Sequence, residues 1–96
     1  MISFVAKLTV RPDKIATFER LQKELKSLTH ANEPDTLVYE VMRSHDDPAS
    51  YLVIATFTDR AAFELHQATD FHERLVPPIM ACLAKEMELR FYDSLA

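Results

Sequence analysis

Hydrophobic and polar residues follow two different periods along the chain. A period of two predicts β-strands over residues 2–10, 36–44, 51–58 and 86–92. Apolar residues three or four positions apart predict an amphipathic helix over residues 12–30. Two N-cap residue types, Asp59 and Thr69, predict shorter helical pieces over residues 60–67 and 70–83. The expected order is therefore strand, helix, strand, strand, helix pair, strand.

This order of elements predicts the fold class. It favours an α+β fold of ferredoxin-like type, in which an antiparallel sheet carries helices on one face. The length of 96 residues predicts a single domain over residues 1–96. Asn32 is expected to stop the first helix in a left-handed conformation, because the chain contains no glycine. Pro77 and Pro78 are expected to disturb the last helical piece, because each lacks an N–H group.

Strict alternation also predicts which side chains face the helices. It places Leu37 on the same face as Tyr39, and Leu89 with Phe91 facing inward from the last strand. The opposite face of the sheet is also apolar and comprises Val5, Val38, Met42, Leu52 and Ile54. An apolar sheet face of several hundred Å² is unusual on a monomer. We therefore expect a homodimer, in which a second copy of the chain covers this face.

Composition excludes several classes of function. The absence of glycine rules out the glycine-rich dinucleotide and phosphate loops and the nucleophile elbow of hydrolases. The net charge of −4 gives no surplus of cations for a nucleic-acid backbone. No apolar run is long enough to cross a membrane, and the start does not resemble a signal peptide. The single cysteine, Cys82, lies in an apolar run and is expected to be a buried, unreactive thiol, which makes a cytoplasmic location the default expectation.

Histidines are the main candidates for chemistry. His66 shares a helix face with Phe63 and is expected to point toward the sheet. Two interpretations stay open for it: a satisfied buried histidine, or a general base or hydrogen-bond donor in a pocket. His66 and His72 would lie about 240° apart around one continuous helix, so no shared metal ion is expected. The cluster His45-Asp46-Asp47 is interpreted as loop composition.

Aromatic residues form a second candidate group. Five of them are expected to converge between the sheet and the helices: Tyr39, Tyr51, Phe57, Phe63 and Phe71. They would either pack as a solid core or line a flat apolar cavity.

Short motifs along the whole chain resemble those of one known family. They are Leu8-Thr9-Val10-Arg11-Pro12, Glu33-Pro34 before Leu37-Val38-Tyr39, Asp47-Pro48, Thr58-Asp59 before Ala62, His66, and Thr69 with Phe71 and His72. In order and spacing the chain is similar to the antibiotic biosynthesis monooxygenase domain of the dimeric α+β barrel superfamily. That resemblance implies a ferredoxin-like subunit, a homodimer with facing sheets, and a pocket between sheet and helices in each subunit.

The resemblance also implies a chemistry. Members of the family oxidise quinols, anthrones or similar aromatic substrates with molecular oxygen and no added flavin or metal, and other relatives degrade haem or rearrange small signalling sugars. By this resemblance His66 is the expected base, and Tyr39, Tyr51 or His72 would hydrogen-bond the substrate oxygen. Phe57, Phe63 and Phe71 would hold the aromatic ring.

The chain departs from the family pattern at several positions. Ala55 and Phe57 stand where the family often has Glu and Trp, and the run Thr69-Asp70-Phe71-His72 exchanges the last two residue types of the usual motif. The residue set of haem-degrading relatives is not reproduced. A non-catalytic ligand-binding or regulatory homodimer is therefore a competing hypothesis, and an isomerase acting on a small polar metabolite is a third, which would need a polar pocket.

Overall fold

Strands and helices follow the predicted order in the computed structural model, which describes residues 1–95. The strands are β1 (Ile2–Thr9), β2 (Thr36–Arg43), β3 (Ser50–Phe57) and β4 (Glu88–Asp93). The helices are α1 (Ile15–Asn32), α2 (Arg60–Ala68) and α3 (Asp70–Met80), and a 3-10 turn over Pro12–Lys14 precedes α1. All strand pairs are antiparallel, in the order β2-β3-β1-β4. The predicted α+β ferredoxin-like fold is confirmed.

The core lies between the helices and one face of the sheet. In the register of β1 and β3, Phe4 pairs with Ala55 and Ala6 pairs with Val53, so these alternate residues face the helices. Helix α1 covers them with an apolar stripe that includes the fully buried Phe18. No helix among residues 1–95 combines the length and the hydropathy that crossing a membrane requires.

Helices α2 and α3 begin at the predicted N-caps. The Asp59 carboxylate accepts a hydrogen bond from the Ala62 N–H at 2.8 Å. The Thr69 hydroxyl accepts one from the His72 N–H at 3.3 Å and donates one to the His66 carbonyl at 3.0 Å. Thr69 itself has extended backbone angles, so it separates the two helices and lets the second one take a new direction.

The end of α1 differs from the prediction. No residue in the described range has a positive φ angle, so the left-handed stop expected at Asn32 is wrong. The Asn32 side-chain amide instead donates to the Leu28 carbonyl at 2.8 Å, and the Glu33 N–H bonds to the Thr29 carbonyl at 2.9 Å. Side-chain and backbone donors thus satisfy the last carbonyls of the helix without a left-handed residue.

The two prolines do not break α3, which continues through both of them to Met80. Pro77 and Pro78 are exposed, and so are Glu73 and Arg74, whose carbonyls lose their usual N–H partners. Because these residues lie on the exposed side of the helix, we expect solvent to compensate for the missing hydrogen bonds. The prolines therefore remove helical hydrogen bonds without ending the helix, which stops at Met80, three residues before the expected boundary at residue 83.

Strict alternation fails at one point in β2. The pairing with β3 shifts between Thr36 and Val38, so that Thr36 pairs with Phe57 and Tyr39 with Ala55. This bulge leaves Leu37 exposed rather than on the face of Tyr39. At the other edge of the sheet, Leu89 pairs with Ala6 and therefore lies on the predicted face, but it is only half covered.

The outer face of the sheet is uncovered in the single chain. Val38, Met42 and Leu52 are 41%, 39% and 38% exposed. Val5 and Ile54 pair directly on this face and are half-buried. Next to them, the Ser3 and Thr56 hydroxyl groups hydrogen-bond to each other at 2.8 Å. The five predicted apolar residues therefore lie on the outer face, where Lys7, Arg90 and Glu40 are paired with Leu52, Val5 and Ile54.

Candidate functional site

A cavity of about 220 Å³ lies between the sheet and the three helices. Most of its wall is apolar and comes from β1, β3 and all three helices. Five polar or amphipathic side chains interrupt this wall: Gln22, Tyr39, His66, Gln67 and His72. Few polar groups on an apolar wall are typical of a site that binds a small, mostly apolar molecule.

His66 is the most deeply buried of these side chains, and it pairs with Glu33. Nδ1 of His66 lies 2.9 and 3.0 Å from the two carboxylate oxygens of Glu33. Both residues are buried, with exposed fractions of 2% and 5%. The Thr36 hydroxyl also donates to Oε1 of Glu33, at 2.8 Å. The imidazole and the hydroxyl therefore both donate to the buried carboxylate of Glu33, which supplies the hydrogen bonds that a buried polar group requires.

Local sequence explains why Glu33 occupies this position. It follows α1 directly, and Pro34 disfavours helical angles at the residue before it. Glu33 accordingly leaves the helix with φ −124° and ψ 86°. Sequence reasoning used Glu33 only as part of a family motif and missed its contact with His66. The available signal was a glutamate placed immediately after an amphipathic helix and before a proline.

The contact with Glu33 occupies only one of the two ring nitrogens of His66, Nδ1. A carboxylate can only accept hydrogen bonds, so this arrangement places the ring proton on Nδ1. Every side-chain hydrogen bond of His66 within residues 1–95 uses Nδ1, and the residue lines the cavity. Nε2 has no hydrogen-bond partner among these residues. Glu33 satisfies Nδ1 as it would in a structural buried histidine, and the adjacent cavity provides the pocket that the base interpretation requires.

His72 joins His66 on the cavity wall. The two rings lie 4.8 Å apart at an angle of 75°. One continuous helix would point them about 240° apart, but Thr69 breaks the helix and redirects α3. The condition of one continuous helix is therefore not met, and the two rings lie side by side. Burial and, to a smaller extent, the neighbouring His66 lower the pKa of His72, while Glu33 raises it slightly. A lowered pKa favours a neutral His72, which can donate or accept a hydrogen bond.

Two of the five predicted aromatic residues, Tyr39 and Phe63, line the cavity. The Tyr39 ring lies 5.5 Å from the His66 ring. Burial, and then the charge of Glu33, raise the pKa of Tyr39 well above its ordinary value, so its hydroxyl stays a hydrogen-bond donor. Phe63 contributes an apolar ring to the wall. Their role in binding a ligand remains a prediction.

The other three predicted aromatic residues do not line this cavity. Phe57 is fully buried with its ring 5.4 Å from that of His66, and Phe71 is buried in the core. Tyr51 borders a second cavity of about 260 Å³, where its hydroxyl donates to Glu19. Burial, and then this hydrogen bond, raise the pKa of Tyr51 to about 12. The expected convergence of all five rings on one cavity is therefore wrong, because Tyr51, Phe57 and Phe71 pack elsewhere.

The remaining candidates from the sequence are a metal site, the Cys82 thiol and the cluster His45-Asp46-Asp47. Within residues 1–95, no three His, Cys, Asp or Glu side chains are grouped so as to hold a metal ion. Cys82 is buried, and its thiol points at the Pro78 carbonyl at 3.4 Å. The residues of His45-Asp46-Asp47 are exposed in the loop between β2 and β3.

Comparison with known proteins agrees with this architecture. A structure described only as an antibiotic biosynthesis monooxygenase is 30% identical, with a TM-score of 0.92, and the match covers 100% of both chains. A provisionally assigned antibiotic biosynthesis monooxygenase from Caulobacter crescentus CB15 is 29% identical, with a TM-score of 0.94 over 99% of this chain and 90% of that one. A conserved protein from Methanosarcina mazei Go1 is 28% identical, with a TM-score of 0.89 over 95% of this chain and 89% of that one.

Sequence comparison gives the family. No curated protein has a sequence that matches this chain significantly. The family model described as antibiotic biosynthesis monooxygenase matches residues 1–77, which include Glu33, His66 and His72. The chain belongs to the antibiotic biosynthesis monooxygenase family.

Proposed function

We propose that the protein is a monooxygenase that oxidises a small aromatic substrate of the quinol or anthrone type with molecular oxygen, without an added cofactor. The observation that carries this proposal is the pair of Glu33 and His66, whose free Nε2 belongs to a residue on the wall of an apolar cavity. A base held in one tautomer by a buried carboxylate is a recurring arrangement for proton abstraction.

His66 on the cavity wall and Glu33 behind it supply the proton transfers of the proposed reaction. Nε2 of His66 takes a proton from the substrate, which leaves an electron-rich aromatic anion. Glu33 stabilises the imidazolium that forms. The anion passes one electron to oxygen, and the radical pair joins to form a carbon–oxygen bond. The imidazolium of His66 returns its proton to the peroxide, and loss of water then leaves a new carbonyl group, so that anthrone and oxygen give anthraquinone and water.

The cavity suits this chemistry in size and polarity. Its volume of about 220 Å³ lies below the roughly 300–1,000 Å³ of sites for drug-sized ligands, which favours a substrate smaller than a drug-sized ligand. An apolar wall keeps water away from the anion and from oxygen. Tyr39 and His72 lie next to His66 and supply hydrogen bonds to the substrate oxygen.

A carboxylate is present although the family position for one is not filled. Ala55 stands where relatives often carry Glu, and it is fully buried in the core. Glu33, from the Glu33-Pro34 motif that resembles the family pattern, places a carboxylate against His66 at the end of α1. This observation favours catalysis over the competing hypothesis of a dimer that only binds a ligand.

Oxygen uptake with a panel of reduced quinones and anthrones, in buffer containing a chelator, tests the proposal. We expect uptake by the wild-type protein and a loss of about 10²-fold or more in His66→Ala. His45→Ala is the matched control, because His45 lies in an exposed loop, and we expect it to keep full activity. Thermal stabilisation by these aromatics without oxygen uptake would instead support ligand binding alone.

The assembly forms part of the same proposal. We infer that the outer face of the sheet pairs with the same face of a second copy. The exposed apolar residues Val38, Met42 and Leu52 support this, because contiguous apolar area on a monomer is costly in water. A two-fold axis would bring the same patch of both subunits together.

A further inference from the structure

Thr36, the first residue of β2, makes two hydrogen bonds to the residue that pairs with His66. Its hydroxyl donates to Oε1 of Glu33 at 2.8 Å, and its backbone N–H donates to the Glu33 carbonyl at 3.1 Å. Thr36 and Glu33 are both buried, each with an exposed fraction of 5%. Glu33 lies in the connection after α1, so these two bonds tie a residue outside the helix to the sheet.

The bulge in β2 brings Thr36 into this position. Thr36 and Tyr39 are three residues apart, so strict alternation would place them on opposite faces of the sheet. The pairing with β3 shifts between Thr36 and Val38, so that Thr36 lies opposite Phe57 and Tyr39 lies opposite Ala55. Phe57 and Ala55 both face the helices, and Thr36 and Tyr39 therefore do so too.

The same shift completes the surroundings of the His66 ring. The Tyr39 ring lies 5.5 Å from it, and the Phe57 ring, opposite Thr36, lies 5.4 Å from it. The shift leaves Leu37 48% exposed, which is unfavourable for a large apolar side chain. Bulges of this kind redirect side chains next to functional sites, and here the redirected side chain contacts Glu33.

We propose that Thr36 is a positioning residue, which fixes the Glu33 carboxylate and, through it, the imidazole of His66. The reaction that this positioning serves rests on the function proposed above. Threonine suits the role because its branched Cβ restricts χ1, so the hydroxyl has a defined direction. A strand is also a more precise support for a functional group than a connection between elements.

Without the hydroxyl, the Glu33 carboxylate would keep only one side-chain donor, the N–H of His66. Glu33 has left the helix, so the backbone of α1 does not fix its side-chain torsions. We expect the carboxylate to rotate more freely, and its bond to Nδ1 of His66 to open more often. A misplacement of about 1 Å is enough to slow a reaction substantially.

A purely structural role is the competing explanation. The Thr36 hydroxyl would then satisfy a buried carboxylate and stabilise the fold, with no effect on His66 in the folded protein. Thr36→Val removes the hydroxyl and keeps the shape of the side chain. Thr56→Val is the matched control, because the Thr56 hydroxyl also makes a hydrogen bond of 2.8 Å, to Ser3, on the outer face of the sheet.

The imidazole N–H of His66 reports on the contact without requiring turnover. Its proton NMR signal is identified by its absence in His66→Gln, and its exchange with water measures how often the bond to Glu33 opens. We expect a resolved, slowly exchanging signal in the wild type and about tenfold faster exchange in Thr36→Val. Thr36→Ser keeps the hydroxyl and should stay within about threefold of the wild type. Thr56→Val should exchange at the wild-type rate.

Oxygen uptake gives a second measurement with an active substrate. We expect kcat of Thr36→Val to fall about tenfold with KM unchanged within about twofold, and Thr36→Ser to recover most of the loss. Should the valine variant fail to fold, Thr36→Ala removes the same hydroxyl without adding a methyl group.

Three results would overturn the proposal: no slowly exchanging His66 signal in the wild type, wild-type exchange in the variants that lack the hydroxyl, or exchange in Thr36→Ser as fast as in those variants. Faster exchange in Thr36→Val, found together with a wild type that consumes no oxygen, would uphold the positioning role and refute the proposed oxygenase.

Discussion

Glu33 and His66 are 33 residues apart in the chain and share a buried hydrogen bond, with Nδ1 of His66 within 3.0 Å of both carboxylate oxygens. The contact links the residue after α1 to the last turn of α2. It therefore has two consequences: it holds two helices in register on the sheet, and it fixes the orientation of the imidazole toward the cavity.

The variant Glu33→Gln tests the second consequence. The amide keeps the size of the side chain and can still accept a hydrogen bond from Nδ1, but it does not carry the charge that faces the imidazolium in the transition state. We expect kcat for an active substrate to fall by about 10²-fold with little change in KM. Glu64→Gln, at an exposed position of α2, is the control. If kcat were the same in both variants, the charge of Glu33 would make no contribution to the reaction.

The lowered pKa of His72 predicts a pH dependence of stability. Burial and the adjacent His66 cause the folded protein to bind this proton less tightly than the unfolded chain, whose histidine has an ordinary value of 6.5. The contribution is therefore fully present above about pH 6.5 and is lost as the pH falls through the folded pKa. Urea unfolding at about pH 7.5 and about pH 5.5 measures it.

A neutral replacement isolates the contribution of His72. We expect the free energy of unfolding to fall less between these two pH values in His72→Gln than in the wild type. His45→Gln, in the exposed loop, should retain the wild-type difference. A wild-type slope in His72→Gln would show that another group causes the acid destabilisation.

Thr69 determines the geometry of the two histidines. Its hydroxyl accepts from the His72 N–H and donates to the His66 carbonyl. We expect Thr69→Ala to lower the free energy of unfolding by about 1 kcal/mol, the usual cost of a lost N-cap. Thr69→Ser keeps the hydroxyl and should restore most of the stability. If the serine variant were as unstable as the alanine variant, the Thr69 methyl group rather than its hydroxyl would be responsible.

A charge on the outer face of the sheet tests the proposed dimer. Sedimentation of the wild-type protein at micromolar concentration is expected to give twice the mass of one chain. Leu52→Glu would bury a charge from each subunit in the proposed interface, so we expect this variant to sediment as a monomer. Leu65→Glu is the control, because Leu65 is 60% exposed but lies on α2, on the other side of the sheet. A monomeric wild type would refute the dimer.

The sequence alone predicts most of the fold, because hydrophobic periodicity is a local property. It fails where a neighbouring strand decides the outcome. Leu37 continues the alternation of β2, yet the pairing with β3 shifts there and exposes it. It also fails where solvent decides the outcome: Pro77 and Pro78 interrupt the hydrogen bonds of α3 only on its wet side, and the helix continues.

The sequence predicts less of the candidate site than of the fold. His66 is identified from its helix face and from the family resemblance. Its partner Glu33 lies at the end of another helix, and no local pattern predicts a contact over that distance in the chain. The approach of His72 depends on the angle between α2 and α3, which the extended angles of Thr69 determine. Gln22 is buried on α1, whereas a glutamine is usually exposed, so the sequence alone does not place it on the cavity wall.

The backbone of this protein uses no left-handed residue anywhere in the described range, and the chain contains no glycine. Each described position therefore accommodates any side chain with a Cβ atom as far as its φ angle is concerned. Positions on the cavity wall can exchange residues during evolution or in a directed library without any turn being rebuilt. Related sequences are thus free to diverge in the molecules they accept while retaining one scaffold.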